Sequence, residues 1–173
     1  MLKQCDKFLV YSFYRFVNIK NIKNVKQQLD NFLDGELVKG TILIAHEGVN
    51  GTISGPKNIL DEALKKIKNI IKIKKLETKI NKTKFIPFNK MKVRLKKEIV
   101  AFGKSSLNIS KYRGNLVSPK NWNQYISDEK IRLIDVRNDF EIDLGKFVKA
   151  ERAQTKSFRD FPNSINKLNL NKN

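Results

Sequence analysis

The 173-residue chain carries 36 Lys and Arg against 17 Asp and Glu, a formal charge of +19, with one Cys and one His. A balance this basic favours a polyanionic partner, either nucleic acid or an anionic membrane surface, while no apolar stretch approaches the roughly 20 residues of a spanning helix and the N-terminus lacks a signal-peptide core; the expectation is a cytoplasmic protein with no membrane partner. Cys5 alone excludes an intramolecular disulfide and a cysteine-based metal cluster, and His46 alone, with no Gly-x-Ser-x-Gly elbow, excludes a Ser/His/Asp triad or a His-rich metal site.

The length suits one ordinary domain or two small ones. Phe8 to Val17 is an aromatic and aliphatic run without a breaker, which predicts a first strand. From Asn24, the residues Val25, Leu29, Phe32 and Leu33 recur at helical spacing until Gly35 and Gly40. Thr41 to Ala45 reads as a buried strand and Thr52, Ile53 and Ser54 as its returning partner, joined by a tight loop. Gly48, Asn50 and Gly51 are residue types that tolerate positive φ, so the Asn-Gly pair predicts the turn, with a positive φ at Gly51. Pro56 suits the first turn of a second helix whose apolar stripe is Leu60, Ala63, Leu64, Ile67 and Ile71, and a strand from Ile73 to Ile80 follows. This order is the βαββαβ of a ferredoxin-like unit, with both helices on one face of an antiparallel sheet.

Between Lys57 and Lys104 there are sixteen basic and four acidic residues, a net +12 that holds most of the excess. Lys65, Lys66, Lys68 and Lys72 fall on the exposed face of the second helix, either as a solvated face or as a nucleic-acid contact. Beyond Pro87, Val93 and Leu95 alternate with Lys92, Arg94 and Lys96, a half-buried strand with cations toward solvent. Arg94, Lys96 and Lys97 would touch phosphate there, or simply protect a basic edge strand from pairing. Residues 104–117 read as a linker. Ser118-Pro119 has N-cap and N1 chemistry for a short helix with Trp122 and Ile126, and Ile131 to Val136 reads as an apolar strand closing on Asp135 and Arg137. That pair lies where α/β folds place functional groups, although a pair that merely closes the strand end is the commoner arrangement.

Three blocks carry a family resemblance. Ile-Ala-His-Glu-Gly-Val-Asn-Gly-Thr-Ile-Ser-Gly at residues 44–55 resembles the signature of the rhodanese-related tRNA uridine hydroxylases, with His46 on its variable position. The Lys92 to Gly103 block is similar to the family's Val-Lys/Arg-x-Lys-Glu-Ile-Val segment. Ser118-Pro119 with Trp122-Asn123, Asp135-Val-Arg137, Asn138 to Glu141 and Phe158 to Pro162 resemble the opening of a rhodanese domain.

The resemblance implies an α+β chain: an acylphosphatase-like, ferredoxin-like domain over 1–103, a linker over 104–117, and an incomplete α/β rhodanese-like domain over 118–173. It implies oxygen-dependent 5-hydroxylation of the tRNA wobble uridine, with molecular oxygen as co-substrate and no cofactor named by these residues. It makes Glu47, Gly48, Asn50, Gly51, Thr52, Arg94, Lys96 and Lys97 candidates for RNA contact, and Asp135, Arg137, Asn138, Glu141 and Arg159 the rhodanese scaffold. The family's Cys-x-Gly-Gly-Ile-Arg-Cys loop has no counterpart after Cys5. This leads to the expectation of a chain inactive alone, with tRNA as partner and a separately encoded C-terminal rhodanese fragment as a second one. The competing expectations are a non-catalytic RNA-binding module and, less favoured, a sulfurtransferase that would need the same thiol.

Overall fold

The computed structural model describes residues 8–35, 37–100, 102 and 114–168. Cys5 and most of the expected linker lie outside the described residues. The chain divides into two compact units, residues 1–100 and 101–173.

The first unit contains β1 (Phe8–Phe16), α1 (Ile22–Leu33), β2 (Lys39–Ala45), β3 (Gly48–Gly55), α2 (Lys57–Ile71), β4 (Glu77–Thr83) and β5 (Met91–Leu95). Its sheet order is β4-β1-β3-β2-β5, with β5 parallel to β2 and the other pairs antiparallel. The first four strands and two helices are the ferredoxin-like arrangement, and β5 extends it at the β2 edge.

Each helix forms where its stripe can be buried. Asn21 caps α1, its side chain accepting from the Asn24 N–H at 3.0 Å, and Val25, Leu29 and Leu33 go inward. On α2, Leu60, Ala63, Ile67 and Ile71 do the same, against Tyr11, Phe13, Ile42, Ile44, Val49 and Ile53 of the sheet. At about 1.5–3 kcal/mol for each large side chain fully buried, these stripes decide which sheet face the helices cover.

The structure corrects four local expectations. The hairpin turn is His46-Glu47, because Ala45 pairs with Gly48 and Asn50-Gly51 lies within β3. Gly48 alone of the three expected positions has a positive φ, 151°, and an added Cβ there would meet the Arg15 carbonyl oxygen at 2.1 Å. Gly51 is extended; its missing side chain makes room for Phe13, whose Cζ would lie 2.7 Å from an added Cβ. The last ferredoxin strand is Glu77–Thr83, since pairing to β1 from Tyr14↔Glu77 to Phe8↔Thr83 fixes it, while Ile73 and Leu76 pack against the core ahead of it. Pro56 takes the N-cap position of α2, one residue ahead of its first turn.

The second unit contains α3 (Trp122–Ser127), β6 (Ile134–Asp135), α4 (Asp139–Asp143), β7 (Glu151–Arg152), a 3-10 turn (Phe158–Asp160) and α5 (Phe161–Lys167). The expected helix start at Ser118-Pro119 is a turn instead, with the Asn121 N–H donating to the Ser118 carbonyl at 2.9 Å and Asn121 at the N-cap of α3. The expected strand from Ile131 to Val136 contracts to two residues, which pair in parallel with β7. The buried residues here include Ile142, Ala150, Ala153 and Thr155, whereas Leu144 and Val148 are 88% and 96% exposed.

Candidate functional site

The turn between β2 and β3 is built into the fold rather than projected from it. The backbone N–H groups of Val17 and Ile19 donate to the carbonyls of Glu47 and His46, each at 2.9 Å, and His46 Nδ1 lies 2.9 Å from the Ile19 carbonyl. Glu47 then receives the Ile99 N–H on Oε1 at 2.6 Å, and Asn50 Nδ2 donates to the Ile99 carbonyl at 3.2 Å. Ile99 is buried with its Cδ1 beside Gly48. Thus Glu47 and Asn50 grip both backbone groups of one residue and hold the 96–100 segment over this end of the sheet.

That geometry redistributes the expected RNA contacts. Gly48 and Gly51 are buried and shape the sheet by admitting the Arg15 carbonyl and the Phe13 ring. Glu47 and Asn50 are spent on Ile99. Thr52 is half-buried, its Oγ1 donating to Ser12 Oγ at 3.3 Å. Arg94, Lys96 and Lys97 are exposed, and the Lys96 N–H is anchored on the Ile44 carbonyl at 2.8 Å. The three cations therefore stand on a backbone fixed by β2 and by the Glu47–Ile99 bond.

On the helical side, Lys57 pairs with Asp61 at 2.5 Å, and the Tyr11 hydroxyl donates to the same Asp61 at 2.7 Å. Burial, reinforced by the neighbouring Asp61 carboxylate, pushes the Tyr11 phenol up to about 12. Lys57 and Tyr11 together hold the Asp61 carboxyl below the usual range. Lys65 and Lys66 are exposed, and Lys66 Nζ lies 5.7 Å from the centroid of the Phe32 ring.

In the second unit, Arg137 grips Asp135 with two prongs, Nε to Oδ1 at 3.0 Å and Nη2 to Oδ2 at 2.7 Å, and also donates to the Gly145 carbonyl at 2.6 Å. The guanidinium holds the Asp135 carboxyl below its ordinary range. Asn138 starts α4, its N–H and Nδ2 both donating to Glu141 Oε2, at 3.1 and 2.8 Å. Arg159 stands exposed in the 3-10 turn. Asp135, Arg137, Asn138 and Glu141 thus serve to join strand end to helix.

Asp135 and Arg137 line an open cleft of about 670 Å³ with Trp122, Ile134, Lys146 and Phe147. Trp122 and Phe147 meet with ring centroids 5.4 Å apart, and the buried Trp122 Nε1 has no hydrogen-bond partner among the described residues. Helical periodicity places Trp122 as a packing residue; only the structure shows its indole N–H left over beside a cleft. Among the described residues, no group of three or more His, Cys, Asp and Glu could hold a metal ion, and no helix is long and apolar enough to cross a membrane.

Residues 8–99 match the UPF0176 acylphosphatase like domain. Curated proteins similar to the chain include the tRNA uridine(34) hydroxylase of Pelagibacter ubique (strain HTCC1062), 40% identical over 95% of this chain and 55% of that protein. The protein of that name from Wolbachia sp. subsp. Brugia malayi (strain TRS) is 39% identical over 96% of this chain and 61% of its own. That from Picosynechococcus sp. (strain ATCC 27264 / PCC 7002 / PR-6) is 36% identical over 91% and 53%. The chain therefore spans little more than half the length of these relatives. With the family match covering more than half of the chain, and on the very residues that form the five-stranded unit, this protein belongs to the UPF0176 family through its acylphosphatase-like domain.

Proposed function

We propose that this chain serves hydroxylation of the wobble uridine, position 34, of tRNA, and that its own residues supply the tRNA-holding part of that activity. The similarity to the tRNA uridine(34) hydroxylases over 95% of the chain carries the reading. The excess of cations supports it, because Lys and Arg on a rigid sheet can neutralise phosphates and fix an RNA without reading its sequence. Arg94, Lys96 and Lys97 are the contacts proposed from the earlier candidates, since they are exposed and anchored. The chemistry at C5, with molecular oxygen as co-substrate, belongs in this proposal to the assembled enzyme in the cytoplasm. The single cysteine here, Cys5, precedes the whole ferredoxin-like unit.

A second part of the reading concerns residues 118–173, taken as the opening of a rhodanese-like domain that a C-terminal fragment completes. The two-residue parallel strands and the exposed Leu144 and Val148 support it, because parallel sheets are stable only when their faces and edges are covered.

The test is a chimera in which this chain replaces the corresponding residues of the Pelagibacter relative, expressed in a bacterium lacking its own hydroxylase. Mass spectrometry of tRNA nucleosides should find a 5-hydroxyuridine derivative at position 34, and the chain without the added part should yield none. A folded chimera that leaves position 34 unmodified would contradict the proposal.

A further inference from the structure

The sheet face opposite the helices carries the 96–100 segment at the end where Asn50 holds Ile99, and the rest of its rows have no role so far. Both helices lie on the side of Tyr11, Phe13, Ile42 and Ile53, so strand alternation sends the residues between them to the other side. Register then aligns that side into rows across all five strands. One row is Lys79, Ser12, Thr52, Thr41 and Lys92: three hydroxyl-bearing residues with a lysine at each edge. The next runs from Tyr14 through Asn50 and Leu43 to Arg94. Its β4 end is Glu77, whose carboxylate is engaged by Arg15 at 2.8 Å.

Tyr14 is 42% exposed, so its ring is open to a ligand. Phe16, two residues on, meets it edge to face with ring centroids 6.3 Å apart and an interplanar angle of 71°. Phe16 pairs with Gly48, beside which Ile99 Cδ1 is seated, and is itself half-buried, so Tyr14 is the more exposed ring of the two. The surface therefore offers an aromatic pair beside hydroxyls, flanked by Lys79, Lys92 and Arg94.

We propose that this face is a stacking platform for unpaired RNA, with bases laid on Tyr14 and Phe16 and the phosphates held by Lys79, Lys92 and Arg94. The inference rests on the tRNA reading above and deepens it by naming the surface and the form of the RNA. A wobble uridine lies in an unpaired loop, and an unpaired base is what an exposed aromatic ring can take, whereas duplex RNA is met mainly through shape and backbone. Five strands span about 19 Å at about 4.8 Å per step, room for a short single strand to lie across them. The charge complementarity is local: Lys79 and Lys92 bracket the hydroxyl row and Arg94 ends the tyrosine row. By contrast, the α2 cations Lys65 and Lys66 share their hollow with Asp61 and Glu62.

The experiment measures binding of the whole chain to tRNA, to oligouridine, to duplex RNA and to anionic vesicles, for wild type and four variants. Tyr14→Ala should weaken tRNA and oligouridine binding roughly tenfold, with Tyr14→Phe retaining most of it. Lys79→Ala with Lys92→Ala should lower the salt slope for oligouridine by about 1.4, at about 0.7 for each phosphate contact. Lys65→Ala with Lys66→Ala should leave oligouridine binding unchanged. If wild type binds tRNA while the sheet-face variants bind it equally well, the platform is refuted and the tRNA reading stands. If wild type binds none of these RNAs, both fall. If the sheet-face variants lose binding to anionic vesicles rather than to RNA, the face is a membrane contact and the platform is likewise overturned.

Discussion

Glu47, a candidate RNA contact by its sequence, has a structural role within the fold. Its carboxylate is the acceptor for Ile99, so removing it leaves a half-buried N–H without its charged partner. Glu47→Ala should cost about 1.5–3 kcal/mol in urea unfolding and speed hydrogen exchange at the Ile99 amide, with Glu47→Gln milder because an acceptor oxygen remains. Gly51→Ala should cost about 1–3 kcal/mol by overpacking against Phe13. Phe13→Leu in the same chain should recover part of that loss; a strictly additive double variant would refute the contact. Tyr11 gives a pH test. The folded chain keeps the phenol proton up to about 12 and an unfolded tyrosine releases it near 10.0. The folded state therefore binds more protons in that interval, and stability falls as pH rises through it. Subtracting the Tyr11→Phe alkaline absorbance titration from wild type should leave a phenolate transition near 12 rather than 10.

At the scale of elements, what was legible in the sequence was what periodicity controls. The stripes of Val25, Leu29 and Leu33 and of Leu60, Ala63, Ile67 and Ile71 face the core as their spacing predicts. What was not legible depends on a partner far along the chain. Asn50-Gly51 carries the chemistry of a turn, yet Phe13 requires the glycine and Ile99 takes the asparagine amide, so the turn moves to His46-Glu47. Tyr14 and Phe16 are hidden in an aromatic run that also holds the buried Tyr11 and Phe13; composition cannot tell the two faces apart when both carry rings. In the second unit, β6 has only two paired residues. Amide exchange should therefore be much faster at Ile134 and Asp135 than at Thr41 to Ala45, which β3 pairs and β5 largely covers. Equal protection would show that the short sheet is stable as it stands.

For the whole molecule, the central claim is that a charge of +19 is arranged to hold RNA rather than spread without purpose. Exposed lysines alone would give weak, diffuse attraction, whereas Arg94, Lys96 and Lys97 stand on anchored backbone and Lys79 and Lys92 stand in register on one face. Fixed cations release a countable number of counterions when phosphates dock. The direct measurement is tRNA affinity of the whole chain over a range of potassium chloride concentrations. With four or more of these cations on phosphates, a log–log slope of roughly −3 or steeper is expected. A slope near zero, or no binding at the lowest salt, would contradict the account.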